Sequence, residues 1–487
     1  MKSPQTIRAA DATEAPVRIN TRPCIIIRLA GCATVLLISL CLLSAGMGPL
    51  KKDRTALSVK ADVLTVFITG NELGAMKPCG CSGGQLGGLA RRAAVFKTVP
   101  KSARFILDAG GLVQGDGEQD LIKFNVIMRA LGLLGYDLVN LTRSDLETAQ
   151  NLGLVENIGR DFKIISAPGV ADVNVPAAFS KRMTLKGREL RLMVASFDAR
   201  SDRIDRIADF FGSVSDVQTL KILILTGCEV DKVESFIEKL AFVDCVLCVD
   251  GPERPEIIGP PGRADRRPLV VSVGQLGKYV GKLEARPDIA GSACGGLKLS
   301  FTAVPVSEDL PEDEALVDLY RSYQQILRGS GLIETQARFA LPGESRYMGS
   351  QTCKACHEYE YEKWKEQKHA HAYATLEEVG SDYDPECVVC HVVGMRYESG
   401  FISPEKTPLF KDVGCENCHG PASQHVLSTG GKPTGEPKMT CEECHTPDNS
   451  AHYSGNEAEY FEKIVHWREP NTAGNVKVYI STGGSKD

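Results

Sequence analysis

Histidine is missing from the first 356 residues of this 487-residue chain; all nine histidines lie from His357 onward. That gap excludes any metal centre built on imidazole ligands from the N-terminal stretch, and it divides the chain in two. Positive charge is not in excess either. The formal net charge is −6, so a broad basic surface for nucleic acid is not expected, and no nucleic-acid partner with it. No P-loop Lys-Ser/Thr and no dinucleotide fingerprint accompanies Gly83-Gly84 and Gly87-Gly88, which therefore read as tight turns rather than a phosphate cradle. Cysteine, by contrast, is plentiful. Seventeen residues are too many for a chain without a metal, disulfide or cofactor role. Length and an ordinary 43% hydrophobic, 24% charged composition lead to an expectation of two or three globular domains.

Residues 29–50 form an uncharged, largely apolar run. Its 22 residues, at a rise of about 1.5 Å each, are long enough to cross a hydrocarbon core of about 30 Å. Lys2, Arg8, Arg18, Arg22 and Arg28 precede it, which places residues 1–28 in the cytoplasm and the rest on the exoplasmic (periplasmic) face. The expectation is a single-pass membrane anchor. The alternative is a signal peptide cleaved near Ser44–Gly46, which would release the chain. Both readings imply export.

From residue 61 to 305, short apolar runs such as DVLTVFITG, RFILDAGG, YDLVNL, FKIISAPG, KILILTG and VDCVLCVDG alternate with amphipathic stretches such as LIKFNVIMRALGLLG and DKVESFIEKLAF. The first kind reads as buried strands, the second as helices, and the alternation as a layered α/β domain. RMTLKGRELRLMVASF reads as a hairpin turning at Lys186-Gly187. Residues 306–345 read as an acidic linker with one helix near Asp313–Leu327. From residue 346 to 487, Cys, His, Gly and polar turns replace regular periodicity.

Within that last stretch the pattern C-x-x-C-H occurs four times: Cys353/Cys356/His357, Cys387/Cys390/His391, Cys415/Cys418/His419 and Cys441/Cys444/His445. Two thiols at this spacing can add to the two vinyl groups of one porphyrin, which puts the following imidazole beneath the iron as proximal ligand. Zinc is the competing reading, but a zinc ribbon has no need for His directly after every second Cys. Four covalent haem c groups are therefore expected. Five histidines remain for second axial positions: His369, His371, His425, His452 and His466. Met348, Met395 and Met439 are nearby in sequence. A haem with no second ligand would bind small molecules; complete bis-His ligation would leave electron transfer alone.

YMGSQTCKACH, W-x4-HAHAYATL, CVVCHVVG, VGCENCHGPASQH and KIVHW make residues 347–467 resemble the tetrahaem cytochrome family of nitrifying bacteria. The resemblance implies stacked haem pairs, mostly bis-His, with one haem in some members lacking a distal ligand. It favours His369 or His371, His425 and His466 as distal ligands, whereas His452 matches no family position. Redox proteins would be its partners.

VFITGNELG, GGLARRAAVF, FILDAGG, LGYDLVNL, KILILTG, VDCVLCVDG and VSVGQLGKYVGKLE, in that order, resemble the metallophosphoesterase domain of the 5′-nucleotidase and UDP-sugar hydrolase family. This implies a β-sandwich flanked by helices, with two metals at the strand ends. The fold expected for the whole chain is thus multidomain: a metallophosphoesterase-like α/β domain followed by a mainly α and irregular tetrahaem domain. Yet at the positions of the family's metal ligands the chain has Asn71, Leu73, Gly111, Thr142-Arg143-Ser144-Asp145, Gly227 and Asp250-Gly251-Pro252-Glu253. Hydrolysis by the family route is not expected. Cys79, Cys81 and Cys228 adjoin the lost ligands and read either as buried or disulfide cysteines or as a replacement thiol cluster. Cys245 and Cys248, three apart on a strand, should point to opposite faces, and Cys294 could pair with any of them. Three functions follow: electron transfer, a redox enzyme with one five-coordinate haem acting on a small nitrogen or sulfur compound, or a hydrolase with an appended cytochrome.

Overall fold

The computed structural model describes residues 62–467, apart from 79–82, 155–160, 169–174, 186, 201–204, 213–217, 229–232, 234–239, 259–267, 288–295 and 435–440. The expected anchor at 29–50, Cys79, Cys81, Cys294 and most of DKVESFIEKLAF lie outside the described residues. Among the described residues no helix is long and apolar enough to cross a membrane.

The alternation of apolar runs and helical stretches folds as two sheets. β1 (Leu64–Thr69), β2 (Arg104–Asp108), β3 (Leu138–Leu141) and β4 (Lys163–Ser166) run parallel, joined through α1 (Leu89–Lys97) and α2 (Glu118–Leu134). α3 (Arg143–Asn151) follows β3. The second sheet takes β5 (Ala178–Leu185), β6 (Arg188–Asp198), β7 (Gln218–Thr226), β8 (Cys245–Cys248) and β9 (Leu269–Ser272) in sequential order, with α4 (Asp205–Gly212) between β6 and β7. β10 (Tyr279–Pro287) and β11 (Leu297–Pro305) then return to the first sheet, whose order is β11-β10-β1-β2-β3-β4.

The unbroken apolar runs are explained by burial on both faces. In β1, Val66 and Ile68 meet Leu192, Ile222 and Leu247 of the second sheet, while Phe67 faces the helices with Phe96, Phe124 and Ile127. Every residue of β1 is buried, so the strand lacks the alternation of a half-wet sheet. The outer face of the second sheet carries Phe197, Leu225 and Val246 against Phe211 of α4. Four layers result: helices, sheet, sheet, helices. Cys245 enters the core between the sheets and Cys248 the outer one, on opposite faces as their spacing predicts. The β5–β6 pairing is the expected hairpin.

The stretch read as a linker is more than a connector. α5 (Glu314–Ser330) packs Leu316, Leu319, Tyr323 and Leu327 into the helix-side core, so it completes the α/β domain. After residue 346 the chain is short helices and turns around a small apolar cluster of Ile333, Tyr373, Leu376, Val388, Val392, Met395 and Phe401. Among the described residues the two parts form one compact unit, held together by polar contacts. Gln119 Nε2 and Gln324 Nε2 donate to the buried Asp384 carboxylate at 2.9 and 3.1 Å. Lys123 pairs with Glu386, and Arg328 with Asp382 at 2.7 Å.

Candidate functional site

Each C-x-x-C-H lies on a tight helical turn or runs across the end of one, and helical positions i, i+3 and i+4 share a face. Local caps fix these turns. Asp384 accepts from the N–H of Glu386 and so opens the turn Pro385–Val388 that carries the second motif. In the third motif, Asn417 caps Gly414 and Ser350 Oγ accepts from the N–H of Cys415 at 3.1 Å. Glu416, between the third pair of cysteines, is buried and accepts from the N–H groups of Met348, Gly349 and Ala422. It ties the start of the first motif to the third. Sequence reasoning missed Glu416; its only signal is an acidic residue inside a motif whose variable positions are otherwise unconstrained.

The structure brings three of the four motif histidines beside histidines from elsewhere, with ring planes from 28° to 87° apart. Ring centroids are 6.0 Å apart for His357 and His425, 6.3 Å for His369 and His445, and 6.2 Å for His419 and His466. Two imidazoles bound to one metal, each through a nitrogen about 2 Å away, place their ring centres roughly 6 Å apart. All three pairs meet that spacing. His391 has no ring contact with another histidine among the described residues; its Nδ1 lies 2.6 Å from the carbonyl of Ala372. His371 is exposed, with Nε2 held 3.0 Å from the carbonyl of Lys365. His452 lies against Gly84 of the α/β domain.

The donor set fits haem and does not fit zinc. Among the described residues no three His, Cys, Asp or Glu side chains are grouped to hold an ion, whereas zinc takes four ligands from the protein. A pair of imidazoles suits a metal that already carries four ligands in a plane. Burial holds His369, His391, His419 and His445 below the ordinary histidine pKa, which favours the neutral imidazole that ligation requires. Leu427, Phe461, Val465 and Trp467, close in sequence to His425 and His466, are exposed apolar side chains of the kind a macrocycle covers.

Cysteines of different motifs also meet. Cys353 lies beside Cys415 and Cys390 beside Cys444, and Cys418 lies near Cys441. Motif one therefore adjoins three, three adjoins four, and four adjoins two.

At the strand ends of the α/β domain, Asn71, Asp145, Asp198 and Asp250 are all held in hydrogen bonds within the fold. Asn71 Nδ2 donates to the carbonyls of Val249 and Gly274. Asp145 accepts from the N–H groups of Gly111, Leu112 and Thr142 and from Thr142 Oγ1, at 2.7–2.9 Å. It is at once the capping-box partner of α3 and the filler of the site. Arg200 holds Asp198 through two nitrogens at 2.8 and 2.7 Å. Cys228 is buried, and its N–H donates to Asp250.

Paired imidazoles at three of four thiol-pair motifs, beside a two-sheet α/β domain, define a multidomain protein with a cytochrome c region. Residues 352–420 match the family Cytochrome c554 and c-prime. Cytochrome c-554 of Nitrosomonas europaea is 26% identical over 156 residues, which cover 25% of this chain and 66% of that protein. The chain thus spans just under two thirds of that relative. The family match implies covalently bound haem c and suggests electron transfer. Among solved structures, a 5′-nucleotidase precursor from Thermus thermophilus aligns over 57% of this chain and 61% of its own, at 17% identity and a TM-score of 0.41. The calcineurin-like phosphoesterase YfkN from Bacillus subtilis aligns over 54% and 97%, at 16% identity and 0.36. Likenesses this partial say nothing of chemistry.

Proposed function

We propose that this chain is an exported, membrane-associated tetrahaem cytochrome c that transfers electrons between redox proteins, and that its α/β domain is inert as a phosphoesterase. The three histidine pairs at 6.0–6.3 Å carry the reading. Cys353 and Cys356, Cys387 and Cys390, Cys415 and Cys418, and Cys441 and Cys444 would attach the four groups. His357, His391, His419 and His445 would be the proximal ligands. His425, His466 and His369 would be distal to the first, third and fourth. Each group, when bound, supplies a one-electron iron couple. The cross-motif cysteine contacts support a spatial order of first, third, fourth and second.

His391 supports a second reading, a small-molecule site at the second motif, because the histidine near it, His369, pairs with His445 instead. The second reading is tested by titrating the reduced, purified full-length protein with carbon monoxide. Four haems by pyridine haemochrome, with one carbon monoxide bound per chain, is the expected result. Zero bound would remove the small-molecule reading, and a colourless protein would remove both.

Inertness as a phosphoesterase rests on the Asn71, Asp145 and Asp198 contacts, which leave those groups committed to the fold. Assayed with nucleotides and phosphodiesters across added divalent metals, the protein should release no phosphate above background. Metal-dependent turnover that survives repurification would refute this part of the proposal.

A further inference from the structure

The turn after the fourth motif, residues 446–453, has two faces. Toward the motif, Ser450 Oγ lies 3.1 Å from His445 Nδ1, and the Tyr453 ring stacks on the His445 ring at 5.1 Å between centroids. Toward the α/β domain, Gln85 Nε2 donates to the carbonyls of Asp448 and Asn449, both at 3.0 Å. Lys278 Nζ reaches Asp448 Oδ1 at 2.5 Å and Glu253 Oε1 at 2.9 Å. Gln85 and Lys278 are well placed to hold a turn rigidly: Gln85 is buried, and only 13% of the Lys278 side chain is exposed. Gln85 sits in the loop after β1 and Lys278 just before β10, so both are fixed to the first sheet.

From this two-faced contact we infer that the α/β domain is a positioning element for the fourth haem: Gln85 and Lys278 hold the turn that keeps Ser450 on the proximal imidazole. The inference rests on the fourth motif's carrying a haem. If Nε2 of His445 holds the iron, Nδ1 would carry the hydrogen and donate to Ser450 Oγ. A partner of this kind orients the ring and raises its basicity, and a more basic imidazole favours the ferric state. The second motif differs, since His391 Nδ1 faces a backbone carbonyl at 2.6 Å instead of a hydroxyl held from the other domain.

The test is spectroelectrochemistry and electron paramagnetic resonance on the full-length holoprotein. Ser450→Ala should shift one reduction wave toward the reduced form by about tenfold in the reduced-to-oxidised ratio, the low end of what outer-shell partners contribute. For a one-electron couple that is about 59 mV. Ser450→Thr should restore the wave. Gln85→Ala combined with Lys278→Met should move the same wave in the same direction, by less, and alter the same low-spin signal. If the double variant left every wave unchanged while Ser450→Ala moved one, the clamp would be overturned. If Ser450→Ala moved none with four haems present, the role of Ser450 would be overturned. Fewer than four haems in the unmutated protein, with none on Cys441 and Cys444, would instead defeat the functional reading beneath the inference.

Discussion

Replacing His425, His369 or His466 by alanine, one at a time, is expected to turn one low-spin iron high-spin in each variant and leave the haem count at four. The reason is geometric. Each histidine is the only imidazole facing its motif partner among the described residues, with ring centroids 6.0, 6.3 and 6.2 Å apart, and alanine offers the iron no donor. Attachment is independent of the distal side, because the thioether sulfurs and the proximal imidazole come from the pentapeptide. The effect is complete for the affected iron, not graded: one low-spin signal disappears and a high-spin signal and a second carbon monoxide site appear. His371→Ala and His452→Ala serve as controls. His371 Nε2 is occupied by the Lys365 carbonyl and His452 rests against Gly84, so neither should change the spectrum. A new high-spin signal in His371→Ala, with none in His369→Ala, would reverse the assignment at that turn.

That pair of histidines marks where sequence reading reaches its limit. The motifs, the split of the chain and most strands were legible because they depend on local pattern: LTVFIT and KILILT are short, apolar and rich in β-branched residues, the mark of strands buried on both faces. Choosing between His369 and His371 was not possible that way. They stand two apart in the turn Lys368–His371, and only the packing of that turn decides which ring meets His445. The same holds for Arg91 and Arg92. Adjacent on α1, they lie about 100° apart around the helix. Arg91 reaches Glu312 at 3.3 Å near the surface, whereas Arg92 is wholly buried with Glu72. Contacts across the two parts of the chain are less legible still. Lys278 and Asp448 are 170 residues apart, and nothing in either local sequence names the other.

Arg92→Met should be the most damaging single change in the α/β domain, costing about 3–5 kcal/mol as expected for a buried ion pair stripped of one partner. At about 2–4 °C per kcal/mol for a domain of this size, that is roughly 6–20 °C in melting temperature. Arg92 and Glu72 side chains are both 0% exposed and meet through two contacts at 2.6 and 2.7 Å. Arg92 also donates to Tyr136 Oη at 2.9 Å, and Tyr136 leads through Thr69 to Asp108. Gly277 leaves the space this pair occupies; a Cβ there would collide with Arg92 Nη2 and Glu72 Oε2. With the guanidinium gone, Glu72 and Asp108 repel each other in a dry interior. The loss should therefore depend on pH. Burial, then the Glu72 charge, already lifts Asp108 from an ordinary 3.8 to about 7. A carboxyl with a raised folded pKa binds its proton more tightly in the native state, so its contribution to stability falls as pH climbs from about 4 to 7. Removing Arg92, which opposes that rise, should steepen the fall, making the variant's deficit larger at pH 8 than at pH 5. Urea unfolding at both values measures it, and pairing Arg92→Met with Glu72→Gln should recover most of the loss, since no uncompensated charge remains beside Asp108. A deficit independent of pH, unrelieved by Glu72→Gln, would mean that Arg92 acts through packing alone and that the charge network contributes nothing to the fold.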